Sequence, residues 1–193
     1  APFVIIRLII IHNSSLTFFS DDAIYASFAR FWVEHDFTHV FHPFWPPLYP
    51  FLSALIFPLI GNWETALRLV SLLSNLVLLI PIYFLAKTQT SKLTATFVCI
   101  SIFLITPIVE KSIFPMSDML AASLIISSLT TFYFALLKNE ARIFIFSAAL
   151  LGLTYLTRSE GIMFFGLSLF YLITYLTLHV VFKKMPLKKL KIL

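Results

Sequence analysis

The sequence predicts an all-α polytopic membrane protein with about six transmembrane helices, on the strength of composition, run length and the absence of alternation. Of its 193 residues, 60% are hydrophobic and 12% charged, and the mean hydropathy is +0.95. A chain of that kind exposes too much apolar surface to stay dispersed in water, so lipid is the solvent for most of it. The apolar runs are long and continuous instead of alternating every second residue. That selects helices over a closed barrel as the way to satisfy backbone polar groups inside hydrocarbon.

The first apolar run, residues 2–19, begins directly at the start of the chain. It has no charged leader followed by a small-residue cleavage site, so it reads as a truncated first span and not as a removable signal peptide. The chain as a whole, 1–193, reads as a single membrane domain and a fragment. Residues 65–86, 93–109, 118–137 and 161–182 each approach the ~20 residues needed to cross the hydrocarbon. Residues 143–157 are shorter, but charges bound them on both sides, and they count as a sixth span.

Leu48 to Ile60 is different. Its 13 residues include Pro50 and Pro58, and apolar runs of that length are usually interfacial or re-entrant. Charge counting gives the same answer. If this segment does not cross, Lys87, Lys92, Lys138, Arg142 and the tail lysines Lys183, Lys184, Lys188, Lys189 and Lys191 share one face. These are nine of the 14 basic residues, and the positive-inside rule places that face, with the basic C-terminal tail, in the cytoplasm. Anionic membrane lipid, not nucleic acid, is then the partner of the net charge of +5.

The opposite face collects Asp21, Asp22, Glu34, Asp36, Glu64, Glu110, Asp118 and Glu160. Its first loop, 20–62, is the longest polar excursion and the place to look for chemistry. Ser20, Asp21 and Asp22 open a stretch in which Ile24, Phe28 and Phe31 follow helical spacing, with Ser27, Arg30 and Glu34 on another face, as in a helix lying on a membrane surface. An irregular loop with four prolines follows to Pro50 and holds His39, His42, Trp45 and Tyr49. Trp45, Tyr49 and Trp63 suit interfacial anchoring. His12, Asn13, Ser14 and Ser15 put polar groups in the first span, where neighbouring helices would satisfy them. The single cysteine, Cys99, excludes an intrachain disulfide and a cysteine-rich zinc cluster.

Asp21-Asp22, Tyr25-Ala26, Ala29-Arg30, Pro46-Pro47-Leu48-Tyr49 and, later, Leu156-Thr157-Arg158-Ser159-Glu160-Gly161 occur in that order along the chain. Together they resemble the C-type glycosyltransferase superfamily, in particular the group containing protein O-mannosyltransferases and the bacterial aminoarabinose transferase of lipid A. Members often carry lysine before the double proline. Trp45 stands there in this chain, so the donor-phosphate contact made by that lysine is either absent or replaced.

The resemblance implies an integral membrane enzyme of a bacterial, archaeal or endoplasmic-reticulum membrane. It would move a sugar, of mannosyl or another hexosyl type, from a polyprenyl phosphate to an acceptor hydroxyl with inversion. The acceptor would be a glycan, a lipid or a protein. Such transfer calls for a base and for stabilisation of the leaving phosphate. Asp21 is the first choice as base, with Asp22 its partner or its alternative. Arg30 and Arg158 are the donor-phosphate candidates, because a guanidinium binds phosphate oxygens in pairs. Glu160, Tyr49 and His42 would support them. Asp21, Asp22 and Glu160 are expected to lie close together, with Arg158 directed at the acidic pair. No cofactor is required. A divalent metal is an option, since some superfamily members use one at this loop, and His39 and His42 are its candidate ligands.

Plainer roles fit the same residues. Ser20-Asp21-Asp22 is also an ordinary helix start, Arg158 an ordinary helix-end cation, and Arg30 with Glu34 an i, i+4 surface pair. For the chain as a whole the rival is a transporter or a non-catalytic membrane scaffold. A transporter places ionisable groups in mid-span, whereas here, apart from Arg7, they cluster at span ends. The topology is testable by labelling. Cysteines at Asn62 and His42 should react with an impermeant reagent from the same side, opposite to one at Asn139, and labelling of Asn62 and Asn139 from one side overturns the scheme.

Overall fold

The computed structural model describes residues 2–13 and 21–182, and among them every regular element is a helix. They are α1 (Pro2–Asn13), α2 (Asp21–Val33), α3 (Phe37–Val40), α4 (Leu48–Ile60), α5 (Trp63–Gln89), α6 (Lys92–Leu104), α7 (Thr106–Ile113), α8 (Asp118–Lys138), α9 (Ala141–Tyr155) and α10 (Gly161–Phe182). By length and apolarity α5, α8 and α10 are able to cross a membrane, and α6 with α7 makes a fourth span bent by 63°. α1, α4 and α9 are shorter apolar helices. Ser14, Ser15, the remainder of the predicted first span, Ser20 and the five tail lysines lie outside the described residues.

The predicted span 93–109 is not one straight helix. Pro107 has no N–H, so the Phe103 carbonyl four residues earlier has no donor in its own helix, and the helix breaks at Ile105. Arg7 supplies the missing donor. Its Nη2 donates to the Phe103 carbonyl at 2.6 Å, its Nη1 donates to Asn75 Oδ1 at 2.7 Å, and its guanidinium carbon sits 3.8 Å from the centre of the Phe103 ring. The one charge in the first span is therefore a buried clamp joining α1, α5 and the bend. Arg68 repeats the theme one end further along, donating to the Ile11 carbonyl at 3.3 Å and pairing with Glu64 at 2.7 Å.

α5 starts on Asn62, whose side chain accepts from the Thr65 N–H at 2.9 Å, and Gly61 at φ 71° turns the chain out of α4. Phe57 stacks on Trp63 beside this turn, and eight residues away on each helix Tyr49 meets Ser71. α4 therefore runs back along the first turns of α5. α8 packs on α5 and α9. Small residues permit the α8–α9 approach: Ser128 and Ser147, both buried, exchange hydrogen bonds, each hydroxyl donating to the other's carbonyl at 2.9 Å.

The α9–α10 joint is equally tight. The Leu156, Thr157 and Arg158 N–H groups fold back onto the Gly152 and Thr154 carbonyls, and α10 starts immediately at Gly161. A Cβ on Gly161 would lie 2.6 Å from the Tyr155 nitrogen, a backbone atom that cannot swing aside, whereas a Cβ on Gly166 would meet nothing within 4 Å. Gly161→Ala should therefore lower the midpoint of thermal unfolding in detergent, by a destabilisation of about 1–3 kcal/mol. Gly166→Ala should raise it, because alanine is the better helix former by about 1 kcal/mol. Equal shifts for the two variants would show that Gly161 is not needed for close approach.

Candidate active site

Two segments that stand more than 100 positions apart in the sequence meet at the head of α8. The Leu48 N–H, in the first turn of α4 where helical donors have no internal partner, donates to the Leu156 carbonyl at 2.8 Å. Pro-Pro-Leu-Tyr is thereby joined to the Leu-Thr-Arg turn. Beneath this junction lies a chain of hydroxyls. Tyr49, fully buried, shares its proton between the Leu67 carbonyl at 2.9 Å and Ser71 Oγ at 3.0 Å, and Ser71 donates to the Met116 carbonyl at 3.0 Å. Tyr25 packs edge-on against both Tyr49 and Trp45, and its hydroxyl lies 2.9 Å from Ser117 Oγ. The residue next in sequence is Asp118.

Asp118 is the centre of charge. Its carboxylate is bonded by Lys111 Nζ at 2.5 Å, from the end of α7, and by Arg158 Nη1, from the α9–α10 turn. Arg158 also reaches Glu160 at 3.4 Å. The arginine thus forks between Asp118 and Glu160. Burial pulls the Arg158 pKa down, but Glu160 and Asp118 outweigh it and leave the guanidinium above its ordinary value. The Glu160 carboxyl is held below the usual range by a backbone N–H and then by Arg158.

Asp21 and Asp22 head α2, half-buried, and Asp22 Oδ1 accepts from the Ala23 N–H at 2.9 Å. The two carboxylates act on the phenols electrostatically. Burial raises the Tyr25 pKa; Ser117 and Arg158 oppose the rise, and Asp21 and Asp118 add to it. Burial likewise raises Tyr49, opposed by Ser71 and reinforced by Tyr25, Asp118 and Asp22. Both hydroxyls stay protonated at neutral pH. The tyrosines therefore stand between the head of α2 and the head of α8 as neutral polar groups.

The other predicted residues lie apart. Arg30 donates through Nε to Glu34 at 2.6 Å, and with its side chain 66% exposed it forms the surface pair. The inward face of α2 is Tyr25 and Ala29, with Ile24, Phe28 and Phe31 half-buried beside it. Phe28 meets the His42 ring and Phe31 the His39 ring. His42 Nδ1 accepts from the Phe44 N–H at 3.1 Å, and His39 Nδ1 is 2.7 Å from Asp36. Among the described residues no group of three or more His, Cys, Asp or Glu is placed to hold a metal ion. Sequence reasoning passed over Asp118 and Lys111. Their one signal was the Asp118 position at a helix start on the acidic face.

Geometry of this kind offers two cations, two neutral phenols and several carboxylates around one joint, a set suited to a phosphate ester and an exchangeable proton. No curated protein and no solved structure matches the chain. One family model does, that of dolichyl-phosphate-mannose-protein mannosyltransferase, over residues 42–192. The match takes in Trp45, Tyr49, Lys111, Asp118, Arg158 and Glu160, and leaves α2 with Asp21 and Asp22 before it. Running over most of an integral membrane chain whose site brings these groups together, it establishes that the protein belongs to the dolichyl-phosphate-mannose-protein mannosyltransferase family of C-type glycosyltransferases.

Proposed function

We propose that the joint of α2, α4, α8 and α10 is where a sugar leaves a polyprenyl phosphate and joins an acceptor hydroxyl with inversion. The observation that supports this reading best is the convergence of Lys111 and Arg158 on Asp118, level with Tyr25 and Tyr49. In the proposed step the acceptor oxygen forms a bond to the anomeric carbon as the bond from that carbon to the phosphate oxygen breaks. The electron pair leaves with the polyprenyl phosphate. Arg158 and Lys111 stabilise the charge that develops there, and Arg158 does so in a paired geometry. Asp118 positions both cations.

The acceptor's proton goes to a carboxylate at the head of α2, with Asp21 the first choice and Asp22 its partner. Lys111 answers the sequence's departure at Trp45, because it brings to the joint the lysine that this position lacks. Arg30, held by Glu34 on the exposed face, plays no part in the step.

Asparagine at either acidic position keeps size and capping ability but cannot take up a proton. In the full-length protein, Asp21→Asn should therefore lower sugar transfer by about 100- to 10,000-fold, the usual worth of general-base catalysis, with donor binding retained. Asp22→Asn should be run in parallel to decide between the pair. Near-normal transfer by both single variants and by the double variant would reduce the acidic pair to a helix cap. Separately, Arg158→Gln should raise the donor dissociation constant and lower transfer together. Unchanged donor binding in that variant would remove Arg158 from the phosphate site.

A further inference from the structure

Two open grooves cut into the apolar body of the protein, far along the helices from the carboxylate cluster. One, between α1, α5 and α6, has no cation in its lining. The other, about 560 Å³, lies between α5, α8 and α9 and does have one. Its walls are Val77, Ile80, Pro81 and Phe84 on α5, Phe134 on α8, and Phe146 and Leu150 on α9, and Lys138 closes its end. On α8 the lining runs from Ser127 to Lys138, a rise of about 16 Å.

The charge at that end has a definite register. Lys138 stands one turn beyond Phe134 on α8, and Arg142 stands one turn outside Phe146 on α9, so each cation continues a groove-lining face toward the helix end. Both side chains are exposed, and neither belongs to an ion pair among the described residues. Glu140, between them, is the sole carboxylate of this end, and it pairs with neither. Lys87, at the end of α5, leans instead over Tyr83, 5.9 Å from its ring, on the side of the other groove.

We infer that this groove is a binding site for an anionic glycerophospholipid, with the phosphate on Lys138 and Arg142 and one acyl chain laid along Phe134 and Ile80. Basic pockets between helices on the positively charged side of a membrane protein take lipid headgroups in this way. The ligand cannot be the sugar donor in its working position, because the phosphate site proposed above sits at the opposite ends of α8 and α9. Only this exclusion of the donor rests on that catalytic reading; the groove and its two cations share no residue with it.

Native mass spectrometry of the full-length protein, titrated with phosphatidylglycerol or phosphatidylcholine of matched chains, tests it. One phosphatidylglycerol should be retained in preference to phosphatidylcholine. Lys138→Gln and Arg142→Gln should each weaken its retention by roughly 5-fold. Thr131→Phe, which fills the groove without touching the charges, should weaken it as well. A variant with glutamine at all five tail lysines should still retain it. Equal retention of the two lipids, indifference to the Lys138 and Arg142 changes, or indifference to Thr131→Phe would overturn the proposal. So would loss of the lipid with the tail lysines, or its displacement by a polyprenyl phosphate.

Discussion

The buried phenol of Tyr49 is the point from which the rest of this molecule is positioned. A hydroxyl removed from water must find partners or cost about 1–3 kcal/mol. The partners available to Tyr49 are the Leu67 carbonyl and Ser71 on α5, with Ser71 in turn donating a hydrogen bond to the Met116 carbonyl just before α8. One side chain thus fixes α4 against α5 and both against the head of α8. Tyr25 packs on its ring and bonds Ser117, which brings α2 into the same register. Without that chain of hydroxyls only apolar contacts would set α2 and α4 against the head of α8, and such contacts are non-directional and tolerate sliding.

Charge in this fold is handled by two different physical strategies. Deep in the helices, Arg7 is consumed by structure: the break at Pro107 strands a carbonyl, and the arginine satisfies it. At the head of α8, Arg158 and Lys111 are held on a carboxylate but remain partly exposed, 37% and 52% respectively, so a ligand can reach them. The distinction separates a clamp from the proposed binding site. It also explains why a sequence with few charges in its spans still buries two arginines.

What was legible in the sequence was whatever depends on local chemistry. The limits of α4 follow from Pro47 before it and Gly61 after it, the start of α5 from the Asn62 cap, and α8 opens with the acidic Asp118 in its first turn. The bend at Ile105 was hidden because Pro107 sat close to the end of an otherwise apolar run, where a proline reads as a terminus. The Arg158 partner was hidden for a different reason. Asp118 lies 40 positions away, and only the packing of α8 on α9 decides that they meet. The same holds for Lys111, which the bend itself swings to the joint. Ile24, Phe28 and Phe31 do share a stripe on α2, yet Tyr25 and Ala29 win the interior, because Tyr25 adds a hydroxyl that Ser117 can satisfy and Ala29 lets the backbone come close.

The rival reading, a transporter, depends on ionisable groups lining a passage within the span. Arg7 is the group most nearly placed for that. Its donors end on Asn75 and on the Phe103 carbonyl, and its flat face lies on an aromatic ring, so translocation would have to break all three contacts for each cycle. The two grooves described above run between helices at apolar depth, where a chain of hydrocarbon is at home and a hydrated solute is not. The groups that pair around Asp118 gather where Tyr25 of α2 and the Leu48 N–H of α4 meet the head of α8 and the α9–α10 turn. The transfer proposed for that joint would draw a phosphate headgroup from the membrane and meet an acceptor hydroxyl there without moving either across, which a transporter's mid-span passage does not offer.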